Sequence, residues 1–410
     1  MAFRFVCACL AASLLVGPAP AVAQTADDVF NADALNDIKL VLHSADWQKL
    51  KDNFQDNTYY PADFTWGGVT VRNVGIRSRG LGSRSAIKPG LRVDFDKYST
   101  SQRFVGLKSL VLDNLTQDAS MMKEVLSMRL FSRLGLPAPR EAFVRLYVNN
   151  ALVGLYAVVE SIDKHFLERV FAQDNGNLFE YDYTFDYNFE YLGSDLDRYQ
   201  ALFDAKTNES HSTFELYDPI ERMVRTANES SDATFATAMG QFFDLNTFAR
   251  HLAAENFVAE NDGWVGYAGM NNFYLYQFGD RTQFQVITWD KDNTFLQSDF
   301  PIFERTDRNV LTRRALAIPT VRQAYLAGLT DAASSATEGQ EGDADTGWLA
   351  KEIERFAAQI IPAARADTNK PYTNNDVDAG IENLRTFVRS RPAYVRCAVA
   401  NESRMPVACP

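Results

Sequence analysis

The stretch Asn271-Asn272-Phe273-Tyr274-Leu275-Tyr276, followed by Phe284-Gln285-Val286-Ile287-Thr288-Trp289-Asp290-Lys291-Asp292-Asn293, decides how the chain is read. Two short apolar runs, joined through Gly279-Asp280, read as an antiparallel hairpin. Such a hairpin brings Asn272, which opens the first strand, and Asp290, which follows the second, to one rim of a sheet. On an extended backbone Asp290 and Asp292 point the same way. Two carboxylates and an amide oxygen suit a hard cation such as Mg²⁺. Asp262, in Glu260-Asn261-Asp262-Gly263, stands close enough in sequence to orient or deprotonate a hydroxyl. The alternative is a hairpin whose Asp and Asn residues only cap its ends, and a D-x-D pattern alone does not separate the two.

Upstream, Arg77-Ser78-Arg79-Gly80-Leu81-Gly82-Ser83-Arg84-Ser85 and then Lys88 form a basic, glycine-containing loop. Its glycines would let the backbone approach an anion that Arg and Lys neutralise. The loop is not a GxxxxGK[ST] or GxGxxG motif, and a solvated hairpin loop is the other reading. Glu160 ends the apolar run Gly154–Val159 and needs a partner if half buried, with Lys88 or a nearby Arg as candidates. A Glu favoured by a helix N-terminus is the alternative there. His43, His165, His211 and His251 are scattered, which argues against a zinc site. No G-x-S-x-G motif and no nucleophilic Cys is apparent.

The pattern outside these motifs is β first and helical later. Alternating runs at Ile38–Leu42, Phe64–Trp66, Val69–Val71, Val74–Arg77, Leu91–Phe95 and Leu107–Leu112 read as mostly antiparallel strands. A helix capped by Asp118 or Ser120 buries Met121, Val125, Met128 and Leu130. A hairpin follows at Phe143–Val148 and Val153–Val159, turning at Asn149-Asn150. Helices dominate after Phe242. Residues 331–347 read as a flexible insertion. A β-rich front and helical back make an α+β protein with a cleft between lobes.

The formal net charge of −12 makes the chain a poor general binder of nucleic acid or anionic membranes. Arg4, the apolar run Phe5–Val16 and Ala21-Val22-Ala23 have the order of a cleavable signal peptide spanning residues 1–23. That places the protein outside the cytoplasm, secreted or periplasmic, with no transmembrane segment after cleavage. Cys397 and Cys409 then remain, and an oxidising compartment favours a disulfide over two free thiols.

Together these segments resemble the CotH kinase family, the secreted and spore-coat atypical protein kinases. The likeness rests on Gly75–Gly80 with Lys88, on Gly154-Leu155-Tyr156 with Glu160 and Ile162, on Asn177-Leu178-Phe179, and on Lys206-Thr207. Asn261-Asp262 and the hairpin segments carry most of it, and it runs from about Asp37 to about Tyr394. The resemblance implies a two-lobed atypical protein-kinase-like fold with ATP between a β-rich lobe (about 36–160) and a mainly helical lobe (about 161–396). A flexible segment 24–35 would precede this domain and a tail 397–410 would follow. The resemblance also implies Asp262 as the catalytic aspartate, Asp290 as the metal aspartate with Asn272 and Asp292 beside it, and Arg79, Lys88 and Glu160 on the cofactor side. In the family pattern an aromatic and then a Lys follow Asn-Leu. Here Glu180 follows Phe179 and inverts that charge. The expected function is ATP- and Mg²⁺-dependent phosphoryl transfer to Ser or Thr of an extracytoplasmic protein. The alternative is a catalytically inactive kinase-like surface-binding or assembly protein of the cell envelope.

Mature protein from the native host should begin at or near Gln24. N-terminal sequencing that finds residues 1–23 intact would refute the export reading.

Overall fold

The computed structural model describes residues 24–404 and 408–409, so the expected signal peptide lies outside the described residues. Seven strands come first: β1 (Asn36–Val41), β2 (Tyr60–Trp66), β3 (Val69–Ser78), β4 (Leu91–Asp94), β5 (Ser109–Asp113), β6 (Glu141–Val148) and β7 (Ala151–Glu160). They close into a barrel in the order β1-β2-β3-β4-β5-β7-β6. Closure comes from β1 running parallel to β6, while the other neighbours are antiparallel.

The barrel is filled by Ile38, Phe64, Ile76, Val93, Leu112, Val144, Tyr156 and Val158. The outward side chains of β5, β6 and β7 are apolar too. Val111, Phe143, Leu155, Ala157 and Val159 pack into the helical core. That explains why Val153–Glu160 is buried throughout: one face fills the barrel and the other carries the helices. Alternation in the sequence announces strands, but not that the sheet closes on itself.

The later part of the chain is helical around a second antiparallel sheet in the order β11-β10-β8-β9. Its strands are β8 (Asn177–Tyr181), β9 (Phe203–Ala205), β10 (Phe273–Gln277) and β11 (Phe284–Thr288). The hairpin read from the sequence is β10–β11, paired with Phe273 opposite Thr288. The helices Leu245–Phe257, Pro319–Ala336, Trp348–Ala366 and Asn374–Ala400 pack behind it. The architecture is therefore α+β, β-rich at the front and helical behind. Among the described residues no helix is long and apolar enough to cross a membrane.

Several local expectations change. His43 caps the helix Ser44–Asp52, its ring accepting from the Ala45 N–H. Asp118 caps the helix Lys123–Arg133 from upstream, accepting from the Met122 and Lys123 N–H groups at 2.8 and 2.9 Å. Residues 24–35 are packed, with Val29 and Phe30 buried in the barrel cluster. Residues 331–336 finish the helix Pro319–Ala336 because alanines propagate it, which leaves only 337–347 as a loop.

Cys397 and Cys409 form the expected disulfide, their Cα atoms 5.7 Å apart. It closes a short loop at the chain's end, so its effect should be modest. Cys409→Ser should lower unfolding stability by no more than about 2–3 kcal/mol. Urea denaturation of the parent and the variant checks this, and a larger loss would mean that the tail holds the helical core.

Candidate functional site

One buried cation organises the rim where β10 begins and β11 ends. Lys291 is fully buried. Its ammonium lies 3.2 Å from Glu255 Oε1 and 3.4 Å from Glu260 Oε2, and it donates to the Asn272 carbonyl at 3.1 Å. Burial would lower the lysine pKa, but Glu260 and Glu255 outweigh burial and hold it above its usual value. Burial also pushes both glutamates upward. Lys291 and His251 reverse this at Glu255, which falls to about 2, whereas Glu260 stays raised at about 7.

This cluster positions Asp262. Glu260 Oε1 accepts from the Asp262 N–H at 2.7 Å, and Glu255 Oε2 accepts from the Trp264 N–H at 3.0 Å. The Asp262 carboxylate then accepts from the side-chain amides of Asn271 and Asn272, both at 3.2 Å. Backbone bonds from Asn261 N–H to Asn293 C=O and from Phe295 N–H to Val258 C=O tie the Asp262 loop to the Asp290–Phe295 loop. Ala259, Asn272, Asp290 and Phe295 all adopt left-handed backbone angles. Such strain persists only where surrounding contacts over-determine it.

The extended geometry expected from Asp290 to Asp292 is not adopted, because Asp290 has φ of 47°. The two carboxylates nonetheless act on one another. Burial and then Asp113 raise the Asp290 pKa to about 6, against Arg79 and Lys291. Burial and Asp290 push Asp292 well above its usual range. Two further acids, Glu124 and Glu141, belong to the same field, each raised by burial and by acidic neighbours that include Asp113 and Asp290. Sequence reasoning missed Asp113, Glu124 and Glu141. One signal was available: Glu124 sits among Met121, Val125 and Met128 on the buried stripe of its helix, where an acid is out of place.

Such a concentration of carboxylates attracts a cation. Asp292 Oδ1 is buried without a hydrogen-bond donor. Asn272 spends its N–H on Asp262, which leaves its amide oxygen available. Among the described residues, no group of three or more His, Cys, Asp or Glu side chains is placed to hold a metal ion unaided. A cation here would draw its remaining ligands from water or a bound anion.

The basic residues separate. Arg79 reaches the site, 3.7 Å from Asp113 and 5.5 Å from the centre of the Trp289 ring. Arg84 folds back onto the Gly80, Phe54 and Asp56 carbonyls. Lys88 and Glu160 do not meet. Lys88 is fully buried and paired at 2.7 Å with Asp367. Glu160, at the other end of β7, pairs with Arg140 at 2.7 Å and Arg169 at 2.5 Å. The Lys88 partner came from a loop more than two hundred residues away, which spacing could not reveal. Glu180 does not leave a bare negative charge: Lys206 lies 2.7 Å from it and outweighs burial, keeping its pKa low.

Residues 76–395 match the profile of the family described as CotH kinase protein. The chain belongs to the CotH kinase family. Over 374 residues, 87% of this chain and 96% of the relative, it is 25% identical to inner spore coat protein H of Bacillus subtilis. Over 197 residues, 45% of this chain but 31% of the relative, it is 24% identical to invasin CotH3 of Rhizopus delemar. The family match takes in Arg79, Asp113, Asp262, Asn272, Asp290 and Asp292, and leaves β1 and β2 outside.

Lys291→Met should be strongly destabilising, because it leaves two buried glutamates without their cation. A loss of about 3–5 kcal/mol is expected at pH 7. The sign with pH follows from Glu255, whose folded pKa of about 2 lies below its ordinary 4.5. Its stabilisation is present above pH 4.5 and fades as pH falls toward 2. Denaturation curves for parent and variant should therefore converge in acid. A gap that widens below pH 4.5 would contradict the assignment.

Proposed function

We propose that this CotH-family chain is an exported, ATP- and Mg²⁺-dependent protein kinase that phosphorylates Ser or Thr of an extracytoplasmic protein. The scaffold would be two-lobed and kinase-like, with the barrel as one lobe and the helical part as the other. The observation that carries the reading is the gathering of Asp262, Asn272, Asp290 and Asp292 around Lys291, with Arg79 facing them. Phosphoryl transfer asks a protein mainly to position reactants and neutralise charge, and this set has the groups for both.

Asp290 and Asp292 would hold Mg²⁺, with the Asn272 oxygen beside them; the metal supplies neutralisation of the triphosphate. Arg79 would donate to a phosphate oxygen. Asp262, oriented by Asn271 and Asn272, would accept a hydrogen bond from the acceptor hydroxyl and take its proton as that oxygen bonds to the γ-phosphorus and the bond from the γ-phosphorus to the β-phosphate oxygen breaks, releasing ADP. Export is supported by the signal-like N-terminus, the disulfide, and relatives named as a spore coat protein and an invasin.

A second reading has its own observation. Lys88 is sealed against Asp367 and Glu180 stands where the family pattern has Lys. Both features favour a kinase-like surface or assembly protein that transfers no phosphate.

Asp290→Ala should leave the fold intact, and even raise its melting temperature by relieving like-charge repulsion. It should cut phosphate incorporation into mixed extracellular protein by at least about a hundredfold. Asp262→Ala should keep Mg²⁺-dependent nucleotide affinity and lower transfer by about 10²–10⁴. If both variants transfer phosphate like the parent, the kinase reading fails. If the parent shows no melting shift with ATP and Mg²⁺ over ATP and EDTA, the inactive reading replaces it.

A further inference from the structure

A cavity of about 290 Å³ lies between the barrel wall and the helices. Phe30 from the N-terminal segment, Val125 and Met128 from the helix Lys123–Arg133, and Trp348 from the start of the helix Trp348–Ala366 give it apolar and aromatic sides. Its charged lining is Arg129, Arg133, Arg140 and Glu141. Glu141 presents no charge to the opening. Both of its carboxyl oxygens are sealed inside, and burial, with Asp113 and Asp290 nearby, holds the group toward its neutral form.

The three arginines are tethered but not used up. Arg129 meets Glu352 through Nε at 2.5 Å, without the alignment of a hydrogen bond, which leaves the two terminal nitrogens of its fork. Arg133 donates through Nε to Ser335 and through Nη2 to Glu338, which leaves Nη1. Arg140 gives its terminal nitrogens to Asp27 and Glu160. Arg129 and Arg133 stand four residues apart on one helix and so share a face.

The tethering carboxylates do not balance this charge. Glu352 is shared with Arg355 and Glu160 with Arg169, and both acids are buried. The remaining partners, Asp27, Asp33 and Glu338, have side chains 86%, 77% and 67% exposed, and pairs so open to water contribute little. Two sheltered carboxylates thus serve four arginines, and Arg133 adds a further positive charge. The positive charge also lies directly on the apolar wall. Arg133 is 4.5 Å from the centre of the Trp348 ring and Arg140 is 4.8 Å from that of Phe30.

A cation would meet an opposing field here. A small inorganic anion would satisfy the guanidiniums and leave the aromatic sides facing water. A carboxylate on an apolar body uses both surfaces, because guanidinium forks match carboxylate geometry and a few polar groups in a mostly apolar pocket are the usual division of labour.

We propose that this cavity binds a small aromatic carboxylate of about ten non-hydrogen atoms. The carboxylate accepts from Arg129 and Arg133, and the ring lies against Phe30, Met128 and Trp348. The site stands apart from the kinase reading and holds whether or not the chain transfers phosphate.

The test uses the full mature chain with 3-phenylpropionate as the probe, each compound at about 10 mM, in thermal shift and calorimetry. Its counterparts are 2-phenylethylamine, which reverses the charge, and acetate, which lacks the ring. The propionate should raise the melting temperature and the counterparts should not. Arg129→Met and Arg133→Met should each weaken propionate binding at least about tenfold. Ser132→Trp, at an exposed helix position that lines the cavity, should block it. Circular dichroism reports whether each variant folds. Arg79→Met, at the other positive centre, should bind the propionate like the parent. No response to the propionate, an equal response to the amine or to acetate, or unchanged affinity in either folded cavity-arginine variant would overturn the proposal. Loss of binding in Arg79→Met with retention in Arg133→Met would do so as well, by moving the anion to the acidic rim.

Discussion

The site depends on one ammonium group taken wholly out of water. Lys291 is flanked by two buried glutamates and a carbonyl, and each of these anchors a different piece of chain. Glu260 fixes the backbone of Asp262, Glu255 fixes the turn at Trp264, and the Asn272 carbonyl opens β10. A buried ion cluster of this kind is weak evidence of stability, since a well-packed apolar core does as well. Its value lies in geometry. Two loops, remote in sequence, are held in a single arrangement because any other would strand a charge. The left-handed residues around the cluster are tolerated for the same reason.

A second buried pair does the corresponding work between the barrel and the helices. Asp367, just beyond the helix Trp348–Ala366, accepts from the Leu155 N–H at 3.0 Å and pairs with Lys88 at 2.7 Å. The approach is possible because Gly154 has no side chain: a Cβ there would lie 2.3 Å from the Asp367 carboxylate. Lys88 thus serves as a strut from the basic loop to the helical part, while Arg79 from the same loop reaches Asp113 at the acidic rim. The two buried lysines illustrate one rule, that a charge denied water takes a fixed partner and fixes the chain with it.

The legible part of the fold was its local patterning. The β10–β11 hairpin, the strands at Ile38 and Leu91 and the α+β order were readable because periodicity and turn residues are short-range signals. Barrel closure was not, because it rests on β1 lying beside β6, more than a hundred residues apart in sequence. Within the site, Asp262, Asn272, Asp290 and Asp292 could be found from the hairpin and its rim. Asp113 and Glu141 could not, because each lies on a strand that looks purely structural until the tertiary fold brings it near the others, while Glu124 left one local trace as an acid on the buried stripe of its helix. Glu160 needs a partner and finds it in nearby arginines, Arg140 and Arg169, one of the two alternatives that the sequence offered, whereas Lys88 pairs with Asp367, which no local signal announces.

Barrel closure bears on how the protein coexists with its neighbours. A closed sheet presents no unpaired edge, so another chain cannot extend it by strand addition. In the second sheet the edge strand β9 has only three residues, and β11 bonds to Phe242 and Pro137. Little backbone is left for sheet-to-sheet aggregation. A protein built this way can be crowded against copies of itself, with any ordered layer it joins held by side chains and not by shared β-structure.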